Sequence, residues 1–454
     1  MLLRTLGVLT LADLHAALDD GRVIRAGGEV LAARLLYAAQ NIDSDIREFP
    51  LGRARDILDD LVSAIGAVAP QVESLVPAGD VRRFESIVSS LAVVGRASDP
   101  RGAIDAIAAS EEFSPILHRG ERRALMTFRQ IEIDVRVAAP DEYGTTLVAA
   151  TGSSAHLAAL QQRRGARRLL AREEDVYAQA GLRYIPPELR QGTGEIEAAA
   201  AATLPDLITR QQIRGDLHMH TDYSDGADSL DTMVEACCAL EYEYIAISDH
   251  SERSAASRTV SRSDLLQQRD EIAAARERYP QITILHGLEV DIMPDGSLDF
   301  PDRVLETLDI VLASLHDSAR QDPKTLTRRC IDAIRHPLVA IITHPANRLV
   351  GKRAGYPLDF DAVYAAAAET GTALEIDGAP SHLDLDGEHA RAATAAGVTV
   401  SIDSDCHRAR LLDRQMQLGI GTARRGWVEA RHVLNARPVE DVRAFVQRKR
   451  EGGP

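Results

Sequence analysis

Cysteine is scarce, four residues in a chain of 454. Cys237 and Cys238 are adjacent, Cys330 is alone and Cys406 stands apart. None has the paired spacing of a zinc ribbon or a secreted disulfide framework, and sequence neighbours cannot easily bridge. A reducing, cytoplasmic setting is therefore expected. No apolar run reaches the ~20 residues that span a bilayer. The opening Met1-Leu2-Leu3-Arg4 stretch soon meets Asp13 and lacks a signal-type cleavage site, so no membrane partner is expected. Positive charge is also short: the formal net charge is -16, which excludes a broad surface that neutralises nucleic-acid phosphates. Internal repeats and low-complexity tracts are absent, and Ala198–Ala202 reads as a helix interior. The length leaves room for two or three domains.

What the chain does have is a series of metal-binding side chains in its C-terminal half: His218, His220, Asp225, His250, Glu289, His316, His344, Asp405 and His407. His218 and His220 are two residues apart, so on an extended strand both rings face one side and reach one ion. The later donors follow short apolar runs: Tyr244–Ser248 before His250, Ile282–Leu285 before Glu289, Ile310–Ser314 before His316, Val339–Thr343 before His344, and Val398–Ile402 before Asp405 and His407. Amphipathic helix-length stretches at 229–241, 262–278, 324–335, 359–370 and 387–396 separate them, the alternation of a parallel sheet with crossover helices. With Ala373–Ile376 this makes about seven βα units, and a closed barrel gathers the residues after each strand at one rim, where catalytic groups sit. A lone His after a strand is more often a hydrogen-bonded rim residue than a ligand. Nine donors in that position point to a multinuclear metal site.

At these residues the chain resembles the PHP (polymerase and histidinol phosphatase) phosphoesterases. The resemblance is carried by His218 and His220, Ser224-Asp225-Gly226, Ser248-Asp249-His250, Glu289, His316, His344-Pro345 and Asp405-Cys406-His407. It is closer still to the PHP domain of bacterial X-family DNA polymerases, through Leu182–Arg190, Asp295–Asp299, Ala423–Trp427 and Val433-Leu434-Asn435. It implies an α/β fold: a C-terminal PHP-type (βα)7 barrel over 211–454, a small α+β palm-like domain over 71–190, and a mainly helical, fingers-like segment over 1–70. It further implies three divalent ions. His218, His220, Glu289 and Asp405 would hold the first; Glu289 would bridge to a second on His316 and His344; Asp225, His250 and His407 would take the third. Neighbouring ions lower the pKa of a shared water towards 7 and clamp the attacking and leaving oxygens of an in-line phosphoryl displacement. Imidazole and carboxylate suit manganese, zinc or iron alike. Catalysis is then expected to rest on Glu289, Asp405 and His407. Arg348, Lys352 and Arg353 follow His344 closely enough for one of them to meet a substrate phosphate. Where the family has arginine before Leu-Asp-Leu, this chain has His382, which alters a rim contact to substrate.

The N-terminal half departs from the polymerase pattern. Gly79-Asp80-Val81-Arg82-Arg83 matches the family's G-S-x-R-R segment, and Asp134 matches a palm carboxylate, but the positions of the aspartate pair read Ser90-Leu91-Ala92. Nucleotidyl transfer needs several carboxylates to hold two Mg²⁺, and the aromatics expected before Thr151-Gly152-Ser153 are Ala149 and Ala150. The palm reads as catalytically dead. Leu6–Thr10 through Gly27-Gly28 resembles a worn helix-hairpin-helix, with a plain interhelical turn as the rival reading. Arg119, Arg122 and Arg123, and Arg163 to Arg172, are basic stretches open to two readings, DNA contact or a solvated face. The favoured activity is phosphodiester hydrolysis at DNA 3′ ends. A small-molecule phosphomonoesterase is second, and a non-catalytic DNA-binding scaffold third.

Overall fold

Strand-length segments with alternate side chains buried build a mixed sheet in the N-terminal half. The computed structural model describes residues 48–163, 168–254, 258–318 and 320–453, with short pieces between 16 and 35. Met1–Phe49 and Pro50–Pro454 are distinct compact units, and the architecture below belongs to the second. Of the fingers-like reading, Leu6–Thr10 and Gly27 lie outside the described residues.

Helix α1 (Leu51–Val68) buries Leu51, Leu58, Leu61 and Ile65 on one stripe. The sheet runs β1 (Glu73–Ala78), β2 (Leu91–Arg96), β5 (Ile131–Ala138), β4 (Arg123–Phe128), β3 (Ile116–Arg119), with β2 and β5 parallel and the other pairs antiparallel. On β4 the period of two is plain: Ala124, Met126 and Phe128 are fully buried. Helix α2 (Pro100–Ala108) follows β2 and α3 (Tyr143–Thr151) follows β5. This register sets Ala92 directly opposite Asp134. A further helix, α4 (Glu173–Gln179), leads towards the barrel.

In the C-terminal half seven strands lie in sequence order, every neighbouring pair parallel: β6 (Gly215–Asp216), β7 (Tyr244–Ile247), β8 (Thr283–Asp291), β9 (Ile310–Ser314), β10 (Ile341–Ile342), β11 (Ala373–Asp377) and β12 (Val400–Asp403). The sheet curls until its ends meet. Met219 and Cys406 bridge in parallel, and His220 N–H donates to Cys406 O at 2.9 Å. Asn435 joins the outer strands by donating to Gly215 O (2.9 Å) and Ile402 O (2.6 Å) and accepting from Ile402 N–H (3.0 Å). Alternation divides the core. Ile245, Ile247 and Ile284 face the helix layer, while Tyr244, Ala246 and Leu285 fill the barrel interior with Val442 and Phe445.

The crossover helices are α5 (Leu230–Ala239), α6 (Arg262–Arg278), α7 (Pro323–Arg335), α8 (Phe360–Thr370) and α9 (Gly387–Ala395). Their starts are set locally: Ser229, Ser261, Asp322, Asp359 and Asp386 each accept a backbone N–H of the first turn, a cap that stabilises by about 1 kcal/mol. One expectation needs correction. Glu289 lies inside β8, not after it, because that strand pairs with β7 over 283–286 and with β9 over 287–291. Two more helices follow, α10 (Leu412–Arg425) and α11 (Val439–Arg450). No helix among the described residues is long and apolar enough to cross a membrane, and all four cysteines are free.

Candidate metal centre

All nine predicted donors converge at the C-terminal rim of the barrel. His218 Nε2 lies 3.1 Å from His220 Nε2, 3.4 Å from Glu289 Oε2 and 3.6 Å from Asp405 Oδ1; His220 Nε2 is 3.0 Å from that same Asp405 oxygen. The other oxygen of Glu289, Oε1, is 3.0 Å from His344 Nε2 and 3.5 Å from His316 Nε2. Asp225 Oδ1 is 3.2 Å from His407 Nε2 and 3.5 Å from His250 Nε2. One contact was not expected: His250 also brings Nδ1 within 2.8 Å of Glu289 Oε2.

These approaches are not a finished hydrogen-bond network. His220 Nδ1, Asp225 Oδ1, His250 Nδ1, Glu289 Oε2 and His344 Nδ1 are buried and have no hydrogen-bond partner. Buried polar atoms left so cost about 1–3 kcal/mol each, and a cation at the centre removes that penalty for those that face it, Asp225 Oδ1 and Glu289 Oε2. Groups drawn from His218, His220, Asp225, His250, Glu289, His316 and His407 place single donor atoms within 4.8 Å of one another, close enough to hold metal ions. Ligation needs anionic carboxylates and neutral imidazoles, and Glu289 and His220 are in those forms. Burial pushes His218, His316 and His407 down, but the carboxylates beside them pull harder and raise all three, His316 to about 10 and His407 to about 9, so a cation binding there displaces protons. Burial pushes the Glu289 carboxyl up, but His218, His316 and His250 pull harder and hold it well below the ordinary range. Burial, with His250 and His407 stacked 4.3 Å away, pushes His220 down to about 3.

A shell of buried groups aims the donors. His218 Nδ1 lies 2.7 Å from Glu375 Oε1, His316 Nδ1 2.9 Å from Asp291 Oδ1, and His407 Nδ1 3.0 Å from Asp405 O. In each ring this leaves Nε2 to face the centre, the usual orientation of a ligating imidazole. Glu375 Oε2 also accepts His344 N–H at 2.7 Å. Ser314 and Thr343 hydroxyls donate to Glu289 Oε1. Asp249 accepts from Thr221 N–H (2.8 Å), Thr221 Oγ1 (2.7 Å) and Gln268 Nε2 (2.7 Å), fixing the turn between His220 and Asp225. Backbone strain concentrates here too: His344 has φ +26° and Asp405 φ +47°, conformations that non-glycine residues rarely hold unless their surroundings impose them.

Glu375, Asp291 and the His407 carbonyl contact were missed by sequence reasoning. Asp291 ends an apolar strand and Glu375 interrupts one, and such a carboxylate in an apolar run was the available signal. The Arg348 guanidinium is engaged away from the centre, and Arg353 is exposed with one nitrogen bonded to the Asn347 loop. Arg348 donates Nε to His382 O (2.9 Å), Nη2 to Leu383 O, and Nη1 towards Asp386 (3.3 Å). Arg353 Nη2 donates to Asn347 O (2.7 Å) and Oδ1 (2.9 Å). Asn347 in turn donates to Leu315 O (2.7 Å) and His316 O (3.0 Å). Cys406 is buried; it donates to Arg408 O at 3.0 Å, and burial pushes its thiol up to about 12. A thiol so held is no nucleophile. Cys406→Ser is expected to hydrolyse substrate at the wild-type rate, and a rate assay in which it is inactive while His407→Ala survives would overturn the metal-based reading.

The PHP domain family matches residues 216–352. The DNA polymerase/3'-5' exonuclease PolX of Bacillus subtilis (strain 168) is 34% identical over 469 aligned residues, covering 98% of this chain and 82% of that protein. A probable phosphatase of Thermoanaerobacter sp. (strain X514) is 37% identical over 141 residues, 29% of this chain and 55% of its own. The crystal structure of histidinol phosphate phosphatase from Lactococcus lactis subsp. lactis matches 47% of this chain and 94% of its own, with TM-score 0.37 and 14% identity. By its similarity to PolX along nearly its whole length, and with a donor set able to hold metals at the rim of its PHP barrel, this chain belongs to the PolX family and is a metal-dependent phosphoesterase.

Proposed function

We propose that this protein removes nucleotides from nucleic-acid 3′ ends by phosphodiester hydrolysis and has lost template-directed synthesis. The observation that carries the reading is the rim cluster of nine donors on a chain whose similarity to a polymerase/exonuclease extends far beyond the barrel. We assign three ions, of manganese, zinc or iron, to the groups His218, His220, Glu289, Asp405; Glu289, His316, His344; and Asp225, His250, His407, in keeping with the distances above. Glu289 presents one oxygen to each of the first two groups. Such ions supply charge neutralisation at the phosphoryl group and acidify water. His407, His316 and Asp225 have side chains 35%, 17% and 21% exposed against 0% for His218, His220 and Glu289, so substrate approaches from their side. Arg348 and Arg353 serve by holding the loops that carry His382 and Asn347.

Loss of synthesis is supported by the palm-like part, which we place at 71–190, with the PHP domain at 211–454 and the fingers-like segment at 1–70. Ala92 occupies the strand position facing Asp134, and Asp134 is itself engaged by Arg123 (2.8 Å) and Arg136 (2.8 Å). Arg82 makes two 2.8 Å bonds to Glu173, and Arg83 binds Thr151 O and Asp80. The arginines of the former nucleotide side are thus turned inward.

A second reading, hydrolysis of a small phosphate monoester, is favoured by the surface: Arg119, Arg122 and Arg123 pair with Asp105, Glu142 and Asp134. One experiment separates the two. Full-length protein with Mn²⁺ is expected to shorten a 5′-labelled strand stepwise from its 3′ end and to leave a primer on a template unextended. Turnover of sugar or amino-alcohol phosphates with the strand intact would replace the first reading by the second.

A further inference from the structure

Beside the nine donors the rim holds another constellation that contains one of them. β11 ends at Asp377, which is fully buried. Its Oδ1 accepts Ala379 N–H at 2.5 Å, while Oδ2 has no hydrogen-bond partner. The chain then turns, and the turn is held rigidly. A Cβ on Gly378 would meet Gln415 O at 2.1 Å, so the strand end runs against the backbone of α10. Val350 N–H donates to Ser381 O at 2.8 Å, and Arg348 binds His382 O and Leu383 O. The backbone is therefore fixed before and after His382. Its ring stacks on His344, centroids 5.1 Å apart and 24° between planes, and its Nδ1 is buried without a partner.

One donor atom each of Asp377, His382 and Asp405 lies within 4.8 Å of the others. Asp405 directs Oδ1 at His220 and His218, which leaves its second oxygen for this side. Two buried carboxylates that close repel each other unless positive charge lies between them. Neither Arg348 nor another cation supplies it through a hydrogen bond to Asp377 among the described residues, and the imidazole offers a lone pair to the same space.

We propose that Asp377, His382 and Asp405 bind an additional divalent cation, joined to the nine-donor centre through Asp405. The proposal rests on the reading of Asp405 as a ligand of that centre. One imidazole and two carboxylates suit Mn²⁺, and three protein donors leave positions for water or a phosphate oxygen of the substrate.

The test is a count of bound Mn²⁺ by native mass spectrometry on full-length protein, stripped with chelator and titrated with Mn²⁺ alone. Asp377→Asn and His382→Gln keep side-chain size. Each is expected to hold one Mn²⁺ fewer than wild type, and the double variant also one fewer, because both residues serve a single ion. Glu289→Gln reports on the main centre independently: an unchanged count there, with one ion lost from Asp377→Asn, would remove the bridging assignment and leave this site standing. Wild-type counts in both Asp377→Asn and His382→Gln would overturn the proposal, since a shared proton then suffices for the buried pair. Loss of two ions in the double variant overturns it equally.

Discussion

Glu289→Gln is expected to lower phosphodiester turnover by more than about 100-fold, the upper end of what loss of a group merely orienting a ligand does, and to remove two ions together. Glu289 has no exposed surface, faces His218 and His220 through Oε2 and His344 and His316 through Oε1, and receives the hydroxyls of Ser314 and Thr343. The amide keeps the shape but replaces one anionic oxygen with an N–H donor that points at imidazole nitrogens. Because the residue sits in the middle of β8, between two paired strands, the fold itself is expected to survive. Elemental analysis of the purified variant showing a full complement of metal would rule out the bridge, whatever the activity.

A second large effect is expected far from the rim. Glu173→Gln should destabilise the protein by about 3–5 kcal/mol, the range for breaking a buried ion pair from one side. Glu173, 9% exposed, accepts from Arg82 (2.8 Å twice), Arg190 (2.6 Å) and Tyr184 (3.2 Å). Arg190 is fully buried between the rings of Tyr177 and Tyr184, 5.2 and 5.5 Å from their centroids. Removing the carboxylate strands that guanidinium in the interior. Burial alone would raise the Glu173 pKa, but Arg82 and Arg190 outweigh it and lower it from 4.5 to about 2. The folded pKa lies below the unfolded one, so the stabilisation is complete above pH 4.5 and is lost as pH falls towards 2. That shift corresponds to about 3 kcal/mol. Denaturant unfolding of wild type should therefore weaken over this window, and that of Glu173→Gln should weaken less. Equal stabilities at neutral pH would show the network to be inert.

The network also reaches towards the barrel. It ties Arg82 to the segment that leads into it, and Arg424 extends the contact from α10 to Glu188 at 2.7 Å. Arg425 bonds Glu85 at 2.7 Å and Arg83 O at 3.2 Å. Where a Cβ on Gly421 would fall, the ring of Phe84 already lies, at 1.9 Å. These contacts pack the N-terminal sheet region against the barrel.

What the sequence determined by itself was everything set by short-range periodicity. Side chains two apart on an extended backbone share a face, which brought His218 and His220 together on paper. Ser229, Asp322 and Asp386 announce helix starts because a side-chain oxygen caps the free N–H groups of a first turn. That Ser90 and Ala92 stand where the resemblance implies an aspartate pair is likewise read along the chain alone. Only the tertiary structure decided which carboxylates serve the centre. Asp216, Asp291, Asp377 and Asp403 all end strands and Glu375 lies within one, and closure of the barrel alone sets Leu217 N–H on Asp403 Oδ1 across 186 residues and Glu375 behind His218. The rim arginines show the same limit. Proximity to His344 in sequence suggested that Arg348 meets substrate, and only the fold brings its Nε and Nη2 to the carbonyls of His382 and Leu383 in the turn after β11.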